Sequence, residues 1–183
     1  MIKKFLFFSL IVLCSISAAN AQSKTKESNK LEDPDNLASQ YFSQIMGVAV
    51  NATSNLKLYK FVYEWIGTPY SFGGNTKKGI DCSAFAKTIY EKVFNTTILR
   101  NSRDIFSMTD PLSKDELKEG DLVFFKIKSR SISHVGVYLG DNRFAHSSSG
   151  GVKISNLNEP YYSRYFYKGG RILESTKTDF VEE

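Results

Sequence analysis

Reactive side chains are scarce in this sequence. The 183-residue chain contains only two cysteines and two histidines. Cys14 lies in a segment that an exported protein loses, which leaves Cys82 alone and excludes an intramolecular disulfide framework. The acidic pairs Asp115-Glu116 and Glu182-Glu183 lack the spacing of metal ligands, so we expect neither a metal nor an organic cofactor.

Long hydrophobic runs and strong charge are scarce as well. The apolar run from Phe5 to Leu13 is far below the roughly 20 residues that span a bilayer, so we expect no transmembrane helix. The formal net charge is only +5, and no basic run is interleaved with aromatic residues. We therefore expect no nucleic-acid partner.

The first 21 residues have the pattern of a signal peptide. Residues 1–4 are basic, the apolar run follows, and Ala19-Asn20-Ala21 is a small-residue cleavage site. We therefore predict an exported protein of the periplasm or cell envelope. A lipid anchor on Cys14 is the competing interpretation, but the bulky residues Ile11-Val12-Leu13 before it favour ordinary cleavage.

Composition and apolar spacing divide the rest of the chain. Residues 22–35 are polar and charged, which is typical of a disordered tether. Helical spacing over residues 36–48 predicts a short helix within an N-terminal extension, residues 36–55. Residues 56–175 have the size of one domain, and residues 176–183 are a C-terminal tail.

The pattern of the main domain changes from helical to extended along the chain. Helical spacing predicts helices over Leu56 to Ile66 and Cys82 to Phe94. Short runs rich in β-forming residues follow beyond Pro111. They are Leu122 to Ile127, Val135 to Leu139, Arg143 to His146, Val152 to Ile154 and Arg171 to Leu173. Helices followed by an antiparallel sheet predict an α+β domain.

Cys82 is the best candidate for a nucleophile. It begins a predicted helix, and Asp81 is a plausible N-cap. The partial positive charge of a helix N-terminus favours the thiolate, which is the nucleophilic form. The alternative is a buried cysteine that packs as a small hydrophobic residue.

His134 and His146 flank one predicted hairpin, whose turn is Gly140-Asp141-Asn142. Residues opposite each other on antiparallel strands have Cβ atoms about 4.5–5.5 Å apart, so the two imidazoles are expected to be neighbours. One can accept the thiol proton while the other orients it. Spacing does not identify which one faces the thiol, and both could instead be polar strand residues.

Three further residues are candidates for the cleft. The Tyr70 hydroxyl could join the Cys82 backbone N–H at a developing oxyanion, or Tyr70 could simply pack. Ser83 and Arg100 could bind the charged ends of a peptide. Equally, Ser83 could cap the helix and Arg100 could be solvated.

Five motifs occur in an order that resembles the NlpC-type cell-wall cysteine peptidases. They are Pro69-Tyr70-Ser71-Phe72-Gly73-Gly74, Asp81-Cys82-Ser83, Gly120-Asp121-Leu122-Val123-Phe124-Phe125, His134-Val135-Gly136-Val137-Tyr138-Leu139-Gly140 and Phe144-Ala145-His146-Ser147-Ser148. The resemblance covers about Leu58 to Leu173. Residues 155–162 look like the single-domain Spr-like branch of murein endopeptidases.

The resemblance implies a papain-like NlpC-type fold, in which a helix supplies the cysteine and an antiparallel sheet supplies the histidines. Cys82 would be the nucleophile, His134 the base and His146 the third polar residue. The resemblance also implies that Tyr70 lies by the oxyanion site. It places Asp81, Ser83 and Arg100 along the peptide cleft. The chain departs from the pattern at Ala84, where a glycine is usual, and at Leu99, where a proline is common.

The expected function is that of an exported peptidoglycan hydrolase. It would be a monomeric cysteine endopeptidase that cuts stem-peptide cross-links, as a D,D-endopeptidase does, through a thioester on Cys82. Three alternatives stay open. They are a cut within one stem between D-glutamate and the third residue, a catalytically silent muropeptide-binding module, and acyl transfer to an amine.

Overall fold

The computed structural model describes residues 36–173. The predicted signal peptide, Cys14, the tether over residues 22–35 and the tail over residues 176–183 lie outside the described residues. No helix within residues 36–173 is long and apolar enough to cross a bilayer.

Helices dominate the first half of the described chain. They are α1 (Leu37–Met46), α2 (Leu56–Trp65), α3 (Cys82–Val93), α4 (Ser102–Ser107) and, later, α5 (Pro160–Tyr165). The three helices expected from apolar spacing correspond to α1, α2 and α3. The six-residue helix α4 was not predicted; its N-cap is Asn101, whose side chain accepts hydrogen bonds from the N–H groups of Arg103 and Asp104.

The strands form two antiparallel sheets. A small one pairs β1 (Asn75–Thr76) with β2 (Gly79–Ile80). The large one has six strands in the order β3-β8-β4-β5-β6-β7. Its strands are β3 (Thr109–Leu112), β4 (Leu122–Phe125), β5 (His134–Gly140), β6 (Arg143–Ser148), β7 (Gly151–Asn156) and β8 (Phe166–Ile172). A short 3₁₀ helix, Lys114–Glu116, lies between β3 and β4.

Both faces of the large sheet are covered. On one face α3 packs through Phe85 and Ile89 against Val135 and Val137 of β5, within the main core. On the other face α5 lies over a second cluster, which comprises Val123, Phe125, Tyr138, Phe144, Leu157 and Tyr162. Burying one such side chain stabilises the fold by about 1.5–3 kcal/mol, so these two clusters fix the strands that carry the histidines.

The N-terminal extension packs at the end of the β5–β6 hairpin that is remote from His134. Phe42 of α1 stacks on Tyr59 of α2, with ring centroids 6.3 Å apart. The N–H of Ala49 donates to the Asp141 carboxylate in the hairpin turn, at 2.6 Å. This extension therefore supports α2 and the turn and does not cover the histidine end of the hairpin.

Candidate active site

Cys82 is the first residue of α3, and its position is set by the cap of that helix. The Asp81 carboxylate accepts a hydrogen bond from the Ala84 N–H at 2.8 Å, so Asp81 is the N-cap that the sequence predicts. The Cys82 side chain is buried, with 8% of its surface exposed. It is a free cysteine that lines a cavity of about 340 Å³.

The expected bias of Cys82 toward the thiolate was wrong for the resting protein. Burial raises the pKa of the thiol, and the negative charge of Asp81 adds to this. Backbone hydrogen bonds from Val135, Ser83 and Cys82 itself oppose the increase without cancelling it. The helix terminus does favour the anion, but desolvation of the sulfur is the larger effect.

The two histidines form one hydrogen-bonded chain. His134 begins β5, and its Nε2 lies 2.8 Å from Nδ1 of His146 on β6. Nε2 of His146 lies 3.0 Å from the Ser155 hydroxyl and 3.3 Å from the Tyr162 hydroxyl. Both nitrogens of the fully buried His146 are thus engaged, whereas His134 keeps Nδ1 for another group.

The start of β5, where His134 lies, is near the thiol. The backbone of Val135, the residue after His134, is close enough to the sulfur to lower the pKa of Cys82. Nδ1 of His134 can accept a proton only when Nε2 carries one and donates it to Nδ1 of His146. His146 then carries its proton on Nε2 and donates it to the hydroxyl of Ser155 or Tyr162. In this arrangement Nδ1 of His134 is the ring nitrogen of the chain that is left to accept a proton.

Gly136 makes room for this chain. It lies between His134 and Tyr138 on the same face of β5, because side chains alternate along a strand. A Cβ at this position would come within 2.7 Å of the Phe144 ring and 3.2 Å of the Cβ of His146. The missing side chain therefore lets the His146 ring pack directly over the sheet.

Both imidazoles are held neutral. Burial, with a smaller contribution from the positive charge of Lys153, lowers the pKa of His134 to about 4. Burial, His134 and Lys153 together lower the pKa of His146 well below its ordinary value. At neutral pH the site therefore rests as a thiol beside a neutral imidazole.

Asp81, Ser83 and Arg100 form a network behind the thiol. Arg100 binds the two carboxylate oxygens of Asp81 at 2.8 Å each, and also donates to the Ser83 hydroxyl at 2.8 Å. Burial opposes ionisation of Asp81, but hydrogen bonds from Arg100, the Ala84 N–H and Ser83 lower its pKa overall. Ser83 and Arg100 are thus occupied by Asp81 rather than unpaired, although the Arg100 side chain is still 43% exposed.

Tyr70 lies where two parts of the cleft meet. The cavity of about 340 Å³ on the thiol side is lined by Tyr70, Asp81, Cys82 and Ser83 among others. A second cavity, of about 700 Å³, is lined by Tyr70, His134 and His146 among others. Burial and the nearby Cys82 and Asp81 raise the pKa of Tyr70, which keeps its hydroxyl a hydrogen-bond donor.

Several residues of the site were missed in the sequence analysis. Ser155 and Tyr162 contact His146, and Lys153 is the cross-strand partner of His146. Counting back from the two-residue turn between β6 and β7 would have found Lys153, because that turn fixes the register. Tyr162 reaches the site only through the packing of α5. Within residues 36–173 no cluster of metal-ligating side chains is found.

Comparison with known proteins places this arrangement in a family. A family model described as NlpC/P60 matches residues 67–171. The chain is 47% identical over 111 residues to a probable endopeptidase NlpC homolog of Haemophilus influenzae, an alignment that covers 60% of this chain and 58% of that protein. It is 40% identical over 111 residues to the murein DD-endopeptidase MepS/murein LD-carboxypeptidase of Escherichia coli K12, with the same coverage of 60% and 58%.

A solved structure gives the same result. The structure of an NlpC/P60 family protein from Bacillus cereus superposes with a TM-score of 0.58 at 34% identity, covering 63% of this chain and 39% of that one. The α+β fold expected from the sequence is thereby confirmed. The chain spans 58% of the length of each of the two curated relatives described above.

Proposed function

The chain belongs to the NlpC/P60 family, and from that premise we propose that it is an exported cysteine endopeptidase that hydrolyses stem-peptide cross-links of peptidoglycan. The observation that carries the proposal is the hydrogen-bonded chain beside the thiol. His134 bonds to His146 through Nε2, which leaves its Nδ1 available to accept a proton. A module that only binds muropeptides has no physical need for such a proton acceptor.

Acyl transfer begins with the thiol proton. Cys82 gives its proton to Nδ1 of His134, and the sulfur attacks the amide carbonyl. Burial raises the pKa of the thiol and lowers that of His134, so we propose that the proton moves to His134 as the sulfur attacks. His134 therefore acts as a general base, and His146 supports the resulting imidazolium.

Two groups near the thiol are proposed as donors to the oxyanion. We assign this role to the Cys82 backbone N–H, at the start of α3, and to the Tyr70 hydroxyl, because Tyr70 lines the cavity that contains the thiol. Collapse of the intermediate breaks the C–N bond, and the imidazolium of His134 protonates the leaving amine. A thioester on Cys82 remains, and water deprotonated by His134 hydrolyses it to a free carboxylate and thiol.

The relatives support a cut at the cross-link. The Escherichia coli relative carries the name of a murein DD-endopeptidase and murein LD-carboxypeptidase. We extend the first activity to this chain as the main proposal. A cut within one stem, between D-glutamate and the third residue, stays the alternative. The signal-peptide pattern supports action in the cell envelope, and we expect a monomer.

Mass spectrometry of purified muropeptides tests the proposal. Cross-linked dimers and monomers are incubated with the mature protein and with Cys82→Ala, which removes only the sulfur. We expect the wild type alone to convert dimers to intact monomers. Shortened stems would move the cut within one chain, and joined peptides would reveal transfer to an amine. No product with any substrate would favour a binding module.

A further inference from the structure

The cavity on the histidine side contains one cation among many hydroxyl groups. Its hydroxyls belong to Tyr70, Ser133, Ser148, Ser149, Tyr161 and Tyr162. Its cation is the ammonium group of the exposed Lys153. Within residues 36–173 this ammonium makes neither a hydrogen bond nor an ion pair. The Glu159 carboxylate also lines the cavity, but it accepts from the Asn156 N–H at 2.7 Å and supports the turn after β7.

Lys153 lies next to the proton-accepting chain. In the β6–β7 register it is the direct partner of His146, so the two side chains lie on the same face of the sheet. Its charge disfavours protonation of both His134 and His146. The Lys153 ammonium therefore opposes the protonation of His134 that the proposed reaction requires. An anion bound next to Lys153 would offset this charge and favour the proton transfer.

The histidine side is where the leaving group must lie. His134 donates the proton to the departing nitrogen, so that nitrogen is on its side of the thiol. The acyl group stays on Cys82, next to the smaller cavity. The residue that contributes the scissile nitrogen therefore enters the cavity that contains Lys153.

We infer that Lys153 forms a carboxylate-binding subsite for the residue on the amine side of the scissile amide. The inference rests on the proposed function. It selects cross-links whose amine-side residue has a free carboxylate on the carbon that bears the scissile nitrogen, as diaminopimelate does. A lysine at that position has no such group, and an amidated diaminopimelate has lost the charge. The bound carboxylate also offsets the ammonium beside His134, so it assists turnover as well as binding.

Three cross-linked peptides with the same acyl side test the subsite. Their amine-side residues are diaminopimelate, its amide and lysine. We expect the mature wild type to prefer the free carboxylate by about tenfold in kcat/KM, the value of one partly exposed charged hydrogen bond. Lys153→Met should remove that preference, so that the three peptides are cleaved with similar kcat/KM. Lys153→Arg should keep the preference, and Lys60→Met on α2 is the matched control on a distant surface.

Equal loss on all three peptides, or no loss in Lys153→Met, would overturn the inference. A second measurement separates it from the proposed function. In the Cys82→Ala protein, calorimetry compares binding of a stem tetrapeptide that contains diaminopimelate with binding of its amide. A carboxylate preference that disappears in Cys82→Ala/Lys153→Met supports the subsite even if the wild type cleaves nothing. Without that preference the subsite is wrong, whether or not cleavage is seen.

Discussion

The two walls of the cleft are built on opposite electrostatic principles. The wall behind the thiol is ionic, with Arg100 bound to both oxygens of Asp81. On the other wall, here called the neutral wall, the hydrogen-bonded chain of His134 and His146 is uncharged and ends on the hydroxyls of Ser155 and Tyr162. One wall keeps a charge pair at all times, whereas the other must accept a charge only while a bond is being broken.

The difference shows how position and reactivity are separated in this site. The ionic wall caps α3 and thereby fixes where the sulfur lies. In the proposed mechanism the neutral wall accepts the proton of the sulfur, and its imidazoles are buried and uncharged before that transfer. Changes to the ionic wall should therefore affect stability first, and changes to the neutral wall should affect turnover and the response to acid.

Replacing His134 with alanine should have the largest effect, because it removes the proton acceptor of the neutral wall. We expect kcat for muropeptide cleavage to fall about a thousandfold, within the range of general-base catalysis. Chromatography of the products measures this, and thermal unfolding confirms that the variant is folded. A variant that keeps a tenth of the activity would show that His134 is not the base.

The second-largest effect should be a loss of stability in acid that arises from the neutral wall. The pKa of His134 is about 4 in the folded protein against 6.5 ordinarily. Between these two pH values His134 is therefore mostly protonated in the unfolded chain and mostly neutral in the folded chain. The free energy of unfolding should therefore fall between pH 6.5 and 4, by about 3 kcal/mol from His134. His146 acts in the same direction.

Urea denaturation at several pH values measures this loss. In His134→Gln the dependence on pH should be clearly smaller than in the wild type. The carboxylate of Asp81 does not interfere, because its pKa is lowered and its own loss of stability lies at more acidic pH. Identical pH dependence in the two proteins would refute the neutral state of His134.

Breaking the ionic wall should cost stability more than chemistry. Arg100→Ala leaves the Asp81 carboxylate without its partner, and we expect a loss of about 1–2 kcal/mol, since Arg100 is 43% exposed. The midpoint of urea unfolding reports it. Arg103→Ala, an exposed neighbour on α4, should change stability by less than about 0.5 kcal/mol. Equal effects of the two substitutions would argue against the network.

The hydroxyls at the end of the neutral chain should have the smallest effect. Ser155→Ala and Tyr162→Phe should each lower kcat about threefold, because the other hydroxyl still accepts from His146. The double variant should lose tenfold or more, since the buried Nε2–H then has no partner. Imidazole nitrogen chemical shifts should report a changed tautomer of His146. Full kcat in the double variant would rule out an orienting role.

Local patterns predicted three of the helices and the strands β4 to β7, but not how elements distant in sequence meet. Apolar spacing identified α1, α2 and α3, and the turn residues placed His134 beside His146. Strand β8 pairs with β3 and β4, which are far from it in sequence. Because glycine is depleted in strands, Gly169 and Gly170 also gave no signal for β8. A Cβ on Gly170 would come within 2.5 Å of the Thr109 hydroxyl, so the glycine reflects close packing rather than a turn.

The candidate site was predictable to the same degree. Its principal residues follow from the motif and the hairpin, but the charge state of Cys82 does not. The sequence indicates a helix N-terminus, which favours the thiolate, whereas the desolvation that outweighs it arises from packing between α3 and β5. The contact of Tyr162 with His146 also depends on tertiary packing and has no local signal.

The burial of Cys82 also affects how well the thiol resists oxidation. Peroxides and small disulfides react with exposed thiolates, and only 8% of this side chain is accessible. Its raised pKa keeps the sulfur protonated between catalytic events. In an oxidising compartment an idle enzyme of this kind should resist conversion to sulfenic acid, so that the Cys82 thiol is exposed to chemical damage chiefly during turnover.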